Sequence, residues 1–87
     1  MEGETSKYDV IIYNDDETSM TFVVDALVEV FEKEYVEAVD LMLKTQREGT
    51  GVAGTYPEGV AAAKVLRVRE LAKAAGHGAF KVTMRKA

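Results

Sequence analysis

The feature that most constrains the fold is a change of hydrophobic period across Tyr13-Asn14-Asp15-Asp16-Glu17-Thr18-Ser19-Met20. Before it, Tyr8 to Tyr13 is β-branched or aromatic at most positions, which is the composition of a strand. After it, Met20, Val23, Val24, Leu27, Val30 and Phe31 recur at helical spacing. The stretch therefore hands a strand over to a helix. Asn and Asp hold turns by bonding their own backbone. Thr18 or Ser19 can cap the helix by accepting from a free backbone N–H, and acidic groups suit the positive end of the helix dipole. A capped acidic turn is the plainer reading of these residues. The functional reading is an open carboxylate cluster beside an exposed Met20, able to grip a small cation.

The rest of the chain supplies the partners of that first strand and helix. Glu32-Lys33-Glu34 is a short connection. A second helix is predicted over about Tyr35–Glu48, with Tyr35, Ala38, Val39 and Met42 as its core stripe and Leu41 and Leu43 widening it. Gly49 suits the left-handed position that ends it. Thr45 and Gln46 are polar residues at the edge of the stripe's last turn. Val52–Thr55 reads as a short strand, and Thr55-Tyr56-Pro57-Glu58 has the spacing of a capping box. The third helix runs to Ala75, with Ala61, Val65, Val68, Ala72 and Ala75 inward. His77-Gly78-Ala79 is a turn, and Phe80–Met84 alternates as a last strand. The order β-α-α-β-α-β, without repeat or linker, predicts one small α+β domain over residues 8–87 behind a flexible tail at 1–7.

Composition narrows the function classes. A chain of 87 residues forms one domain with one modest core, and little room for a deep enclosed active site. It has no cysteine, so disulfides and thiolate metal sites are excluded. A net charge of -4 argues against a general phosphate-backbone binder, so nucleic acid is not an expected partner. No apolar run approaches the ~20 residues of a membrane span. Met1 to Lys7 is short and polar with no apolar core, and a cytoplasmic location is expected. His77 is the single histidine. A zinc site there would need Asp or Glu for most of its ligands. A serine triad would have to use Ser6 or Ser19, in flexible or capping contexts. Asp15 and Asp16, at strand spacing, point to opposite sides. Nothing assembles a nucleophile with its base, so neither an enzyme nor a cofactor or metal is expected.

Asn14-Asp15-Asp16, Thr18, Met20 and Phe22-Val23-Val24 come first, followed by Leu41-Met42-Leu43, Gly49, Gly54, Tyr56 and Lys64-Val65. In that order they resemble the ClpS family, bacterial adaptors that recognise N-end-rule degradation signals. The resemblance runs from about Tyr8 to Met84. It implies a three-stranded antiparallel sheet with three helices packed on one face. It also implies two partners, the N-terminal segments of substrate proteins and a Clp-type AAA+ unfoldase, for a chain expected to be a monomer. By the same resemblance Asn14 and Asp15 hold the substrate's N-terminal ammonium, with Gln46 where the family has a histidine. The hydrophobic pocket would be formed by Thr18, Met20, Val23, Met42, Thr45 and a residue at Ala79 or Phe80. Thr45 stands where the family usually has Val. Lys64 matches a lysine of the unfoldase-docking surface, while Gly59 replaces a Glu of that surface. The substrates implied are proteins beginning with Phe, Tyr, Trp or Leu. The alternative is an interaction domain of the same fold with another partner, like the carboxy-terminal domain of the ribosomal stalk protein.

Overall fold

β1 (Lys7–Tyr13) holds the buried run Val10, Ile11 and Ile12; successive strand side chains point to opposite faces, so this run is covered on both. The computed structural model, which describes residues 6–87, places it in the centre of a sheet ordered β2-β1-β3. The other strands are β2 (Thr50–Pro57) and β3 (Val82–Lys86), and both pair antiparallel with β1. Three helices complete the order β-α-α-β-α-β: α1 (Met20–Glu29), α2 (Tyr35–Glu48) and α3 (Glu58–Ala74). α2 and α3 lie against strands, and α1 bridges α2 and α3. The core between helices and sheet is built on Val10, Ile12, Leu27, Val68 and Val82, all essentially inaccessible to solvent. Burying one such side chain is worth about 1.5–3 kcal/mol.

Several boundaries differ from those expected, each for a tertiary reason. The flexible tail expected at 1–7 lies, up to residue 5, outside the described residues. Lys7 already pairs with Pro57 and opens β1. β2 extends well beyond Val52–Thr55 because β1 offers it partners from Lys7 to Tyr13. Register shifts between Val10 and Ile11, which pair with Gly54 and Val52. Ala53 is the extra residue of this bulge, and it is fully buried.

The expected capping box at α3 is absent. The Thr55 hydroxyl instead donates across the sheet to Asp9 Oδ1 at 2.7 Å, and Pro57 occupies the cap position. A capping box stands instead at α2, where the Glu34 amide donates to Glu37 Oε1 at 3.1 Å. Tyr35, expected in the core stripe, is 68% exposed; Ala38, Met42 and Thr45 are the buried positions of α2. Ala75 is likewise exposed, as the C-cap of α3. β3 begins at Val82 and not at Phe80, because the Phe80 amide donates to the His77 carbonyl at 3.0 Å and closes a turn.

Candidate functional site

Asp15 organises the passage from β1 to α1. Its Oδ1 accepts from the backbone amides of Glu17 and Thr18, both at 2.8 Å, and its Oδ2 accepts from the Thr18 hydroxyl at 2.7 Å. Ser19 is the cap of α1: its backbone is extended and its Oγ accepts from the Phe22 amide at 3.1 Å. Of the two candidate caps, then, Ser19 caps and Thr18 serves Asp15. Burial raises the Asp15 pKa, but the hydrogen bonds from Thr18 and Glu17 and the nearby charge of His77 outweigh it and leave the carboxyl below its ordinary value. A carboxylate has about four acceptor positions. The turn occupies three of them, and one is left for a donor from outside.

The far wall comes from the end of α2. The Asn14 amide donates to the Gly49 carbonyl at 2.9 Å, which ties the end of β1 to the end of that helix. Gly49 takes a left-handed conformation, φ 91°, as the C-cap. One turn earlier, the buried Thr45 hydroxyl donates to the Leu41 carbonyl at 2.8 Å, so a polar residue sits in an apolar position with its donor satisfied. Gly51 makes room for that hydroxyl, since a Cβ there would run into Thr45 Oγ1 and the Leu41 side chain.

Between these walls lies an open pocket containing about 320 Å³ of empty space, some of it open solvent. It is lined by Tyr13, Asn14, Asp15, Thr18, Met20, Val23, Met42, Thr45, Gln46 and Phe80. Every amine-clamp and pocket residue expected from the resemblance therefore lies on one surface, and of the Ala79/Phe80 pair it is Phe80 that does. Val23, Met42, Thr45 and Phe80 are buried; Asn14 and Gln46 are exposed, and Met20 is 53% exposed. Tyr13 was not expected there. It is the last residue of β1, held by a 3.1 Å hydrogen bond between its hydroxyl and Thr83 Oγ1, with Lys81 Nζ 4.7 Å from the ring centre. Its place immediately before Asn14 was the available signal.

A second unexpected feature stands behind Phe80. Phe22 packs edge-on against Phe80, with ring centres 5.8 Å apart, and its ring lies 5.2 Å from that of His77. His77 is a turn residue, as expected, with its amide bonded to the Ala72 carbonyl at 2.7 Å. It reaches the pocket only through Phe22, which lies between its ring and Phe80. Lys64 lies apart from the pocket, on α3. Its Nζ donates to the Val30 carbonyl at 2.6 Å and stands 5.0 Å from the Tyr56 ring centre. Among the described residues, no three His, Cys, Asp or Glu side chains gather to hold a metal ion.

The arrangement is an open pocket with a largely apolar wall and oxygen acceptors at its rim, able to take a cation that carries an apolar group. The chain is similar in sequence and in shape to known proteins. The family model described as ATP-dependent Clp protease adaptor protein ClpS matches residues 3–83. The Clp protease adapter protein ClpS of Shewanella denitrificans is 43% identical over 72 residues, covering 83% of this chain and 71% of that protein. That of Clostridium acetobutylicum is 42% identical over 77 residues, 88% of this chain and 75% of its own length. The structure of Agrobacterium tumefaciens ClpS2 bound to L-phenylalaninamide matches with a TM-score of 0.90 at 26% identity, covering 95% of this chain and 99% of that one. This chain belongs to the ClpS family, the adaptors of the ATP-dependent Clp protease.

Proposed function

We propose that the chain binds the N-terminal residue of substrate proteins when that residue is Phe, Tyr, Trp or Leu, and presents those proteins to a Clp-type AAA+ unfoldase. The observation that carries this reading is that one pocket has Asn14, Asp15 and Gln46 at its rim and Val23, Met42, Thr45 and Phe80 in its wall. An N-terminal ammonium offers three donors, and the rim residues offer carboxylate and amide oxygens. A charge-assisted hydrogen bond contributes about 1.5–3 kcal/mol net, and burying a Leu or Phe side chain about the same. With backbone contacts added, the sum suits a reversible receptor near micromolar affinity, about -8 kcal/mol. The phenylalaninamide held by the Agrobacterium relative has a free amine on an aromatic residue, which is the chemistry this rim and cavity would take.

On this reading the chain performs no catalytic step, acts as a cytoplasmic monomer, and uses a separate surface for its unfoldase. Gly59 and Lys64 line another concavity on α3, together with Glu29, Val60 and Arg67, and that surface is the proposed contact. The test is a titration with peptides that differ only at residue one, each with a free and an N-acetylated terminus. Free Phe and Leu peptides should bind and acetylated ones should not. Equal binding of the two forms would rule the reading out.

A further inference from the structure

Asn14 and Gln46 border more than the pocket. With Leu43 and Arg47 they also line a nearly flat groove that continues outward from its mouth. Leu43 is 44% exposed, an apolar contact on an otherwise polar rim. Arg47 stands in the last turn of α2, one helical turn beyond Leu43, with a side chain 68% exposed. Its ion pair is with the neighbouring Glu48 at 3.9 Å, also well exposed. So open a pair contributes little, and a guanidinium has five donors, so most remain available to an outside acceptor. Asp16 and Glu17, exposed on the β1–α1 loop, line neither the pocket nor the groove. Arg47 is the charged residue among the four that line this groove, with Glu48 beside it.

An N-terminal residue seated in the pocket has one substituent left, the carbonyl that begins the rest of its chain. That carbonyl sits one atom from the α-carbon that bears the amine, so it leaves from beside the amine clamp. Asn14 and Gln46 are shared by clamp and groove, so the groove is the continuous way out. Two extended residues span about 7 Å, and Leu43 and Arg47 are separated by about one helical pitch, ~5.4 Å.

We propose that the groove formed by Leu43, Gln46 and Arg47 is a subsite for the second and third residues of the bound chain, and that Arg47 selects acidic side chains there. The proposal rests on the reading of the pocket as a receptor for N-terminal residues. It adds a charge preference beyond residue one. Arg47 also complements the negative end of α2, so its role toward substrate must be separated from its role in stability.

Binding of Phe-Glu-Glu, Phe-Ser-Ser and Phe-Lys-Lys peptides to the full chain, each free and N-acetylated, separates these. Measurements at pH 6.5 keep the amine protonated throughout, since its ordinary pKa is about 7.7–8. The Glu peptide should bind about two- to fivefold more tightly than the Lys peptide, the range of an exposed charge pair. That ratio should shrink toward one in about 1 M salt, where charges are screened beyond ~3 Å. R47Q should reduce the ratio and R47E should reverse it, while the Ser peptide changes less than about twofold in either variant. A ratio in R47E equal to the wild-type value, or a wild-type preference for Lys, would overturn the subsite. Free peptides that all bind equally, with acetylated ones silent, would remove the subsite and leave the pocket reading intact. Acetylated peptides that bind as well as free ones would remove both.

Discussion

Asp15 does two jobs with one carboxylate: it ties the turn that precedes α1 and leaves an acceptor toward the pocket. Asp15→Asn keeps the size of the group and removes its charge. It should weaken binding of free-amine peptides by at least about 1.5 kcal/mol, read by calorimetry. The acid also links stability to pH. Its folded pKa lies below the ordinary value, so the unfolded chain takes up its proton first as pH falls. The stabilisation is complete above about pH 5, a unit above the ordinary Asp value, and is lost as pH drops through the folded value. Urea titrations at pH 6 and pH 3 should show a smaller loss for Asp15→Asn than for the wild type. Met20 is half-exposed at the mouth. On the proposed function it would gate by shape, meeting a side chain branched at Cβ and letting an unbranched one pass. Met20→Ala should narrow the preference for Leu over Ile and Val by about 1 kcal/mol, the scale of relieving an overpacked contact. An unchanged ratio in competition titrations would place the gate elsewhere.

At the scale of elements, the turn between α3 and β3 and the start of α3 make distinct contributions. The turn carries His77, Phe22 leans on its ring, and Phe80 leans on Phe22. Removing the first ring should loosen the last. His77→Ala should weaken Phe-peptide binding by about 0.5–1.5 kcal/mol, the worth of an aromatic pair. His77→Phe should restore it, which a loss through His charge alone would not allow. The start of α3 is a simpler case. Gly59 is its second residue, and a Cβ there meets nothing within 4 Å. Gly59→Glu should stabilise the fold by about 1 kcal/mol, from helix propensity and from a negative charge near the helix N-terminus. That corresponds to a rise in melting temperature of about 4–8 °C. Peptide affinity should be unchanged, because Gly59 does not line the pocket.

Over the whole molecule, the pocket is where the end of β1, the start of α1, the end of α2 and the approach to β3 meet. A site assembled from so many elements exists only in the folded chain, so its ligand binds the native state and not the unfolded one. At a hundred times its dissociation constant, a free-amine Phe peptide should add about 2.7 kcal/mol of stability. It should raise the melting temperature by roughly 10 °C or more. The acetylated peptide should leave the melting temperature where it was, and equal shifts would contradict the amine clamp. The order of elements, the α1 stripe and the helical span of α2 were legible in the sequence, because hydrophobic period is a property of neighbours along the chain. That Asn14, Asp15, Met20, Met42 and Gln46 would share one surface was legible only through the family resemblance, and they do line one pocket. The fate of Thr55 was not, because its partner Asp9 lies 46 residues away and the hydroxyl can cap a helix or cross a sheet equally well. The length of β2, the outward turn of Tyr35, the place of Tyr13 at the pocket and the packing of His77 against Phe22 were decided in the same way. Each depends on which distant surface arrives to pair with or cover the residue, and no local pattern encodes that.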